Sequence, residues 1–410
     1  MKVVKKICKY YHDPLYKNSF YIMLTSISSS GFGFLFWVIA ARLYSQEDVG
    51  ISTALIASIN LIVLLSRFGF DQYIIRFFPE KDKSKIFSNS IIITTIFSVI
   101  IGLIFILGIE IWSPELIFIK NHIFLYLLFL IVSSLISLLG ISFVALRKSM
   151  FYFIQSLIIG SRVILLFPLL FLGSLGIFSS FGISSTIALI FSFIVVFIFG
   201  IRLKRIDKKY LKESFNFSAG NYISGLLVVA PNMILPILVL NVLGPEKSAN
   251  YYIVFAIVNI LFMISYAFST SLFVEGSHGN KSTKNIFKSV FASFIILTIA
   301  IFFLYFFGDI LLRLIGDNYV QGFDLLKIMA LSSFFVTICQ IYFAIKKVQK
   351  DMKGLISISL LIFILLLGLS YIFMIYFDII GVGYAWIISY GISSLLIIIF
   401  YKKINVKVKH

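Results

Sequence analysis

The chain has 410 residues, 60% of them hydrophobic and 13% charged, with a formal net charge of +18. An ordinary soluble domain carries about 25% charged residues, so the composition excludes a soluble catalytic domain and leaves an integral membrane protein built from spans and short loops. The 35 Lys and Arg residues are scattered through loops, which excludes a nucleic-acid surface, and the two cysteines, Cys8 and Cys339, exclude a disulfide framework.

Lys2, Lys5, Lys6 and Lys9 precede an apolar run in the manner of a signal peptide. The uncharged run 18–41 exceeds the ~7 to 15 residues of a signal core and further spans follow it, so a first transmembrane helix is expected there. A short polar turn then leads into a second uncharged run, 49–66, and four more runs follow near 87–109, 122–146, 150–172 and 177–201. The second half repeats the count, near 217–241, 249–274, 286–308, 323–345, 355–377 and 379–401. The expected fold is therefore all-α, an integral membrane protein of about 12 transmembrane helices, divided as 1–205 and 206–410.

Basic residues test this topology independently of hydropathy. With the N-terminus inside, 29 of the 35 Lys and Arg fall on the inner side, four (Arg42, Lys120, Lys247, Arg313) fall outside, and Arg162 and Lys327 lie within spans. Acidic residues divide almost evenly, so the bias lies in positive charge, as the positive-inside rule requires. Both termini are expected to be cytoplasmic. Six spans per half permit an internal repeat about an axis along the membrane normal. Its trace is slight: Leu43-x-Ser45-Gln46 stands 200 positions before Leu243-x-Pro245-Glu246.

The opening hairpin carries A-R-L at 41–43 with Gly50 following, R-F-G-F-D at 67–71 and R-F-F-P-E at 76–80. Later segments read E-S-F-N-F-S-A-G-N-Y (213–222), G-D-N-Y-V-Q-G-F-D-L-L-K-I-M-A (316–330) and G-V-G-Y-A-W-I-I-S (381–389). Together these resemble bacterial polysaccharide flippases of the Wzx type, in the multidrug/oligosaccharidyl-lipid/polysaccharide exporter superfamily. The resemblance implies two six-helix bundles around a central cavity and kinship in fold to multidrug extrusion proteins and lipid II flippases. It further implies translocation of an undecaprenyl-pyrophosphate-linked oligosaccharide from the inner to the outer leaflet of the bacterial inner membrane, for O-antigen or capsule assembly beside a polymerase and a chain-length regulator. No cofactor, metal or enzymatic step is implied.

Arg162 is the central ionisable group. An arginine in mid-span costs about 2.5–3.5 kcal/mol on insertion scales, so it is expected to face the protein interior. There it either offers a planar donor fork to a phosphate or pyrophosphate or bonds structurally to carbonyls freed near Pro168. Arg42 and Arg67 end the first two spans; Arg67 and Asp71 have the i,i+4 spacing of a bridge at the inner rim. Lys327, one turn from an outer end, has Asp324 as its expected partner and otherwise a substrate role. Pro231 and Pro236 are expected to break the seventh span beside Asn221 and Asn232, as a gate on a polar cavity or as an inert kink. Cys339 lies in an apolar run, and the four histidines have no metal-ligand spacing. G-S-H-G-N-K-S (276–282) has Asn280 where a phosphate loop needs glycine. Two other functions share these features: a cation-coupled drug exporter, disfavoured by spans poor in carboxylates, and a membrane scaffold that transports nothing, disfavoured by Arg162.

Overall fold

The structure, a computed structural model, describes residues 14–277, 283–349 and 351–405. The basic N-terminal arm with Cys8 and His12, the turn around His278 and Asn280, and the terminal Lys407, Lys409 and His410 lie outside the described residues, as does the side chain of Asn221. The described residues form helices and turns without a strand. The fold is all-α, and among the described residues eleven helices are long and apolar enough to cross a membrane. Backbone contacts divide the chain into two compact units, Met1–Tyr222 and Ile223–His410.

In the first unit, α1 (Pro14–Leu43), α2 (Gln46–Ser66), the short α3 (Phe70–Phe77), α4 (Lys83–Leu107) and α5 (Ile123–Ala145) are followed by α6 (Ser149–Gly160) and α7 (Ser174–Ile198). α1 packs on α6, while α5 packs on α4 and α7. The expected fifth span is the exception among the twelve, because α6 ends at Gly160 after 12 residues. A single turn, Arg162–Leu165, and a 3₁₀ turn, Leu170–Leu172, complete the passage to α7. Pro168 explains why the turn does not continue past Leu165: it donates no hydrogen bond, its ring crowds the carbonyl of Ile164, and it biases Phe167 away from helix. Gly160 also sits where a Cβ would stand 2.6 Å from the Phe32 ring, so the absence of a side chain lets α6 press against α1.

An apolar cluster fills the Arg67 end of this unit, with Phe70, Ile74 and Phe78 packed on Phe87, Leu139, Phe143 and Val196. α3 is amphipathic: Phe70, Tyr73 and Ile74 are buried while Gln72, Ile75 and Arg76 are exposed. It roofs that cluster.

The last helix of the first-unit sequence leads on through α8 (Lys208–Leu243), and the second unit then holds α9 (Pro245–Ser277), α10 (Thr283–Ile315), α11 (Phe323–Gln349), α12 (Met352–Phe377) and α13 (Ile380–Asn405). α11 packs on α9, α10 and α13, and α12 on α13. The expected break at Pro231 and Pro236 is corrected here, because both prolines lie inside one continuous helix, α8. Each removes only one N–H donor, and a membrane helix tolerates such a loss where neighbouring groups surround it; the Ser248 hydroxyl from the next helix adds a bond to the carbonyl of Pro236 itself at 3.2 Å. α10 also runs past the expected end at 308, so Asp309 and Arg313 occupy its last two turns.

The halves share a packing device. A buried hydroxyl pair joins the second and fourth spans of the first half, Ser58 to Tyr126 at 2.7 Å. Another joins the second and fourth spans of the second half, Ser265 to Thr337 at 2.6 Å. Such pairs hold helices together where no water competes for the hydroxyls.

Candidate functional site

Arg162 opens the single helical turn after the break in the fifth passage. Its guanidinium carbon lies 4.5 Å above the Phe36 ring on α1 and 6.0 Å from the Phe181 ring on α7. Gly33 faces it so closely that an added Cβ would sit 3.6 Å from an Arg162 terminal nitrogen. Gly33 precedes the end of α1 by ten residues and Phe36 precedes it by seven, so at 1.5 Å per residue the cation lies about 10–15 Å in from the Ser45 end. It is half-buried. Ring contact balances positive charge, and the planar guanidinium has the fork shape that matches a phosphate or carboxylate. One carbonyl left by the broken helix has another partner: Leu166 accepts from the Tyr44 hydroxyl at 2.7 Å.

Arg67 stands at the opposite end of the spans in the same unit. After α2 the chain reverses through Phe68 and Gly69, at φ 46 and φ 79. The left-handed conformation costs a residue with a Cβ about 1–2 kcal/mol, and Phe68 is held in it by rings on both sides, Phe97 at 4.6 Å and Tyr222 at 5.9 Å between centroids. The Tyr222 hydroxyl donates to the Leu65 carbonyl at 2.7 Å, closing the end of α2. Burial pulls the Arg67 pKa below its ordinary value, against the opposing charge of Asp71. Arg67 and Asp71 are thus coupled electrostatically, and an ion pair nearby joins Arg76 to Glu80.

The remaining sequence candidates are placed as follows. Arg42 is exposed on the last turn of α1, where a cation complements the helix dipole. Lys327 pairs with Asp324 at 2.6 Å and lies 4.5 Å over the Phe323 ring. Asn232 is half-buried on α8, with Pro231 and Pro236 buried beside it. The structure therefore brings Arg162 into an aromatic setting and Arg67 into a polar one within the first unit, and keeps Lys327 and Asn232 in the second.

Asp48 was not singled out by the sequence. Its carboxylate accepts from the Ser174 backbone N–H at 2.7 Å and from the Ser45 hydroxyl at 2.6 Å. Ser45 in turn caps α2 by accepting from the Asp48 N–H at 3.1 Å. The S-x-x-D spacing signals such a cap; nothing local signals a partner 126 residues away. This latch fixes the turn at Gly173, and with it the irregular segment that carries Arg162.

Comparison with known proteins adds the following. The polysaccharide biosynthesis protein family matches residues 15–238. None of the curated proteins matches the chain. Among solved structures, an inward-facing multidrug resistance MATE family transporter of the MOP superfamily superposes with a TM-score of 0.72 at 13% identity, covering 95% of this chain and 100% of that one. The lipid II flippase MurJ in an inward closed conformation gives 0.70 at 15% identity, covering 93% and 87%. A MOP superfamily transporter from Pyrococcus furiosus with a binding pocket of reverse polarity gives 0.61 at 12% identity over 98% of both chains. These likenesses establish the fold.

Proposed function

This chain belongs to the polysaccharide biosynthesis protein family, and on that premise we propose that it is a flippase that moves a lipid-linked oligosaccharide across the bacterial cytoplasmic membrane, with an undecaprenyl pyrophosphate as the anionic carrier. The observation that carries the reading is Arg162, a guanidinium held between aromatic rings in a membrane-crossing unit at a break in the helix. A planar donor fork in low dielectric suits a diphosphate better than a cationic drug. Binding there shifts the position of the substrate and leaves its covalent bonds unchanged. The net direction is inner to outer leaflet, towards surface polysaccharide assembly, with the Arg67 end facing the cytoplasm.

A strain lacking the gene keeps making the lipid-linked unit, accumulates it in the cytoplasmic leaflet and loses the surface polymer. Purified protein in vesicles exposes a labelled lipid-linked glycan to an external probe. The drug-exporter reading shares the fold of the MATE transporter; vesicles that export a cationic dye while leaving the glycan lipid in place would establish it and overturn the flippase. Normal outer-leaflet delivery in the deletion strain, with no second flippase, would instead favour the scaffold.

Sidedness has its own test. Glu47 and Lys148 are exposed at opposite ends of the first-unit spans. In a background lacking Cys8 and Cys339, an impermeant maleimide labels Glu47→Cys in intact spheroplasts and reaches Lys148→Cys only after lysis. The reverse pattern inverts the topology.

A further inference from the structure

Between α7 and α8 the chain is gripped along its backbone. Ser84, Ser88 and Asn89 are buried on the first turns of α4. The Ser84 hydroxyl oxygen accepts from the Arg202 N–H at 3.1 Å, and that of Ser88 accepts from the Lys204 N–H at 2.7 Å. The Asn89 amide closes a two-way pair with residue 207, donating to the Asp207 carbonyl at 2.9 Å and accepting from the Asp207 N–H at 3.0 Å. Two ion pairs flank this clasp, Lys204 to Asp82 at 2.8 Å and Lys85 to Asp207 at 3.0 Å. Lys204 holds the Asp82 carboxyl below the usual carboxylate range.

The clasp consumes backbone groups and the side chains of Lys204 and Asp207, and Ile201 is buried in the apolar cluster; the other side chains of the segment are exposed. Leu203 and Ile206 are 56% and 44% exposed, and Arg202 and Arg205 are exposed and form no ion pair among the described residues. The Arg202 guanidinium lies 5.8 Å over the Phe197 ring, and the Lys148 ammonium lies 5.6 Å over Phe199. α7 ends at Ile198, so this edge begins within three residues of the end of a membrane span. Aliphatic side chains alternating with guanidiniums are satisfied together at one place near a span end, the headgroup level of a bilayer, where the stems enter the acyl boundary and the cations meet phosphate.

We propose that residues 201–207 form a docking edge for anionic phospholipid headgroups, held in shape by the Ser84, Ser88 and Asn89 clasp. This is separate from the transported glycan and independent of it. It rests on α7 crossing the membrane and on the charge of the edge. Because the clasp holds backbone atoms, replacing Arg202 and Arg205 leaves the segment in place while removing their charge.

The full chain, lacking Cys8 and Cys339 and carrying a bimane label at Leu203→Cys, is reconstituted into phosphatidylcholine vesicles. Each preparation contains the same mole fraction of either brominated phosphatidylglycerol or brominated phosphatidylcholine. Quenching is expected to be stronger with the anionic lipid, and the difference is expected to vanish in Arg202→Gln/Arg205→Gln while quenching by both lipids persists. The same labels at Ile206→Cys should repeat the result. Equal quenching by the two lipids in the protein that keeps Arg202 and Arg205 overturns the proposal. So does absence of quenching by either, which would mark a protein-facing or water-facing edge, and so does a preference that survives the double substitution.

Discussion

Arg162→Gln should lower movement of the lipid-linked glycan about tenfold or more at matched membrane abundance, and Arg162→Lys should retain more of it than Arg162→Gln. A hydrogen bond to a charged group contributes about 1.5–3 kcal/mol, and each 1.4 kcal/mol is a factor of ten in an equilibrium. Lysine keeps the charge and loses the planar fork, which separates attraction from bidentate geometry. Phe36→Leu offers a milder test: the ring lies 4.5 Å from the guanidinium carbon, and leucine keeps apolar bulk while losing the quadrupole that faces the cation. The ordering expected in vesicles is wild type, Phe36→Leu, Arg162→Lys, Arg162→Gln, from fastest to slowest. Full transport by Arg162→Ala at normal abundance would remove the residue from the site and leave it a structural role.

The fold was legible because its signal is long. Uncharged runs near the bilayer thickness, with cations gathered at alternate ends, leave few other arrangements for the chain. What misled was proline. Pro231 and Pro236 looked like the break and lie in continuous helix, whereas the passage containing Pro168 is the interrupted one. The difference is set by tertiary surroundings. At Pro168 the disturbed segment also has Gly160 against Phe32, with Tyr44 taking the Leu166 carbonyl. At Pro231 and Pro236 the helix runs on, with the Ser248 hydroxyl from the next helix bonded to the Pro236 carbonyl. Local rules report the lost donor and leave open whether the surrounding packing keeps the helix going.

The candidate site was legible in its charge and not in its setting. An arginine in an apolar run announces itself through the cost of burying it, and Lys327 announces Asp324 through helical spacing. Phe36 and Phe181 do not announce themselves. Among 46 phenylalanines, only the packing of α1 and α7 selects the two that meet the guanidinium. Asn89 was hidden for the same reason: its partner at Asp207 is 118 positions away.

The latch at Asp48 gives the second large effect. Its carboxylate takes the Ser174 N–H at 2.7 Å, and Gly173, at φ 56, has Asp48 Oδ1 at 2.7 Å from the place a Cβ would occupy. Asp48→Ala removes the acceptor and should lower stability by about 1.5–3 kcal/mol, the range for a hydrogen bond to a charged group. Asp48→Asn keeps a carbonyl oxygen for the same N–H and should lose less. Gly173→Ala attacks the latch from the other side, since the new methyl displaces the carboxylate and the left-handed backbone disfavours any Cβ. If both substitutions break one contact, their effects on thermal unfolding in detergent overlap, and the double variant Asp48→Ala/Gly173→Ala falls short of the sum of the two. The latch also fixes the turn that leads back to Arg162, so each single variant should slow transport by the protein that remains folded. Strict additivity of the two, or an unfolding temperature unchanged by Asp48→Ala, would mean that the Ser174 end of α7 is held by packing alone.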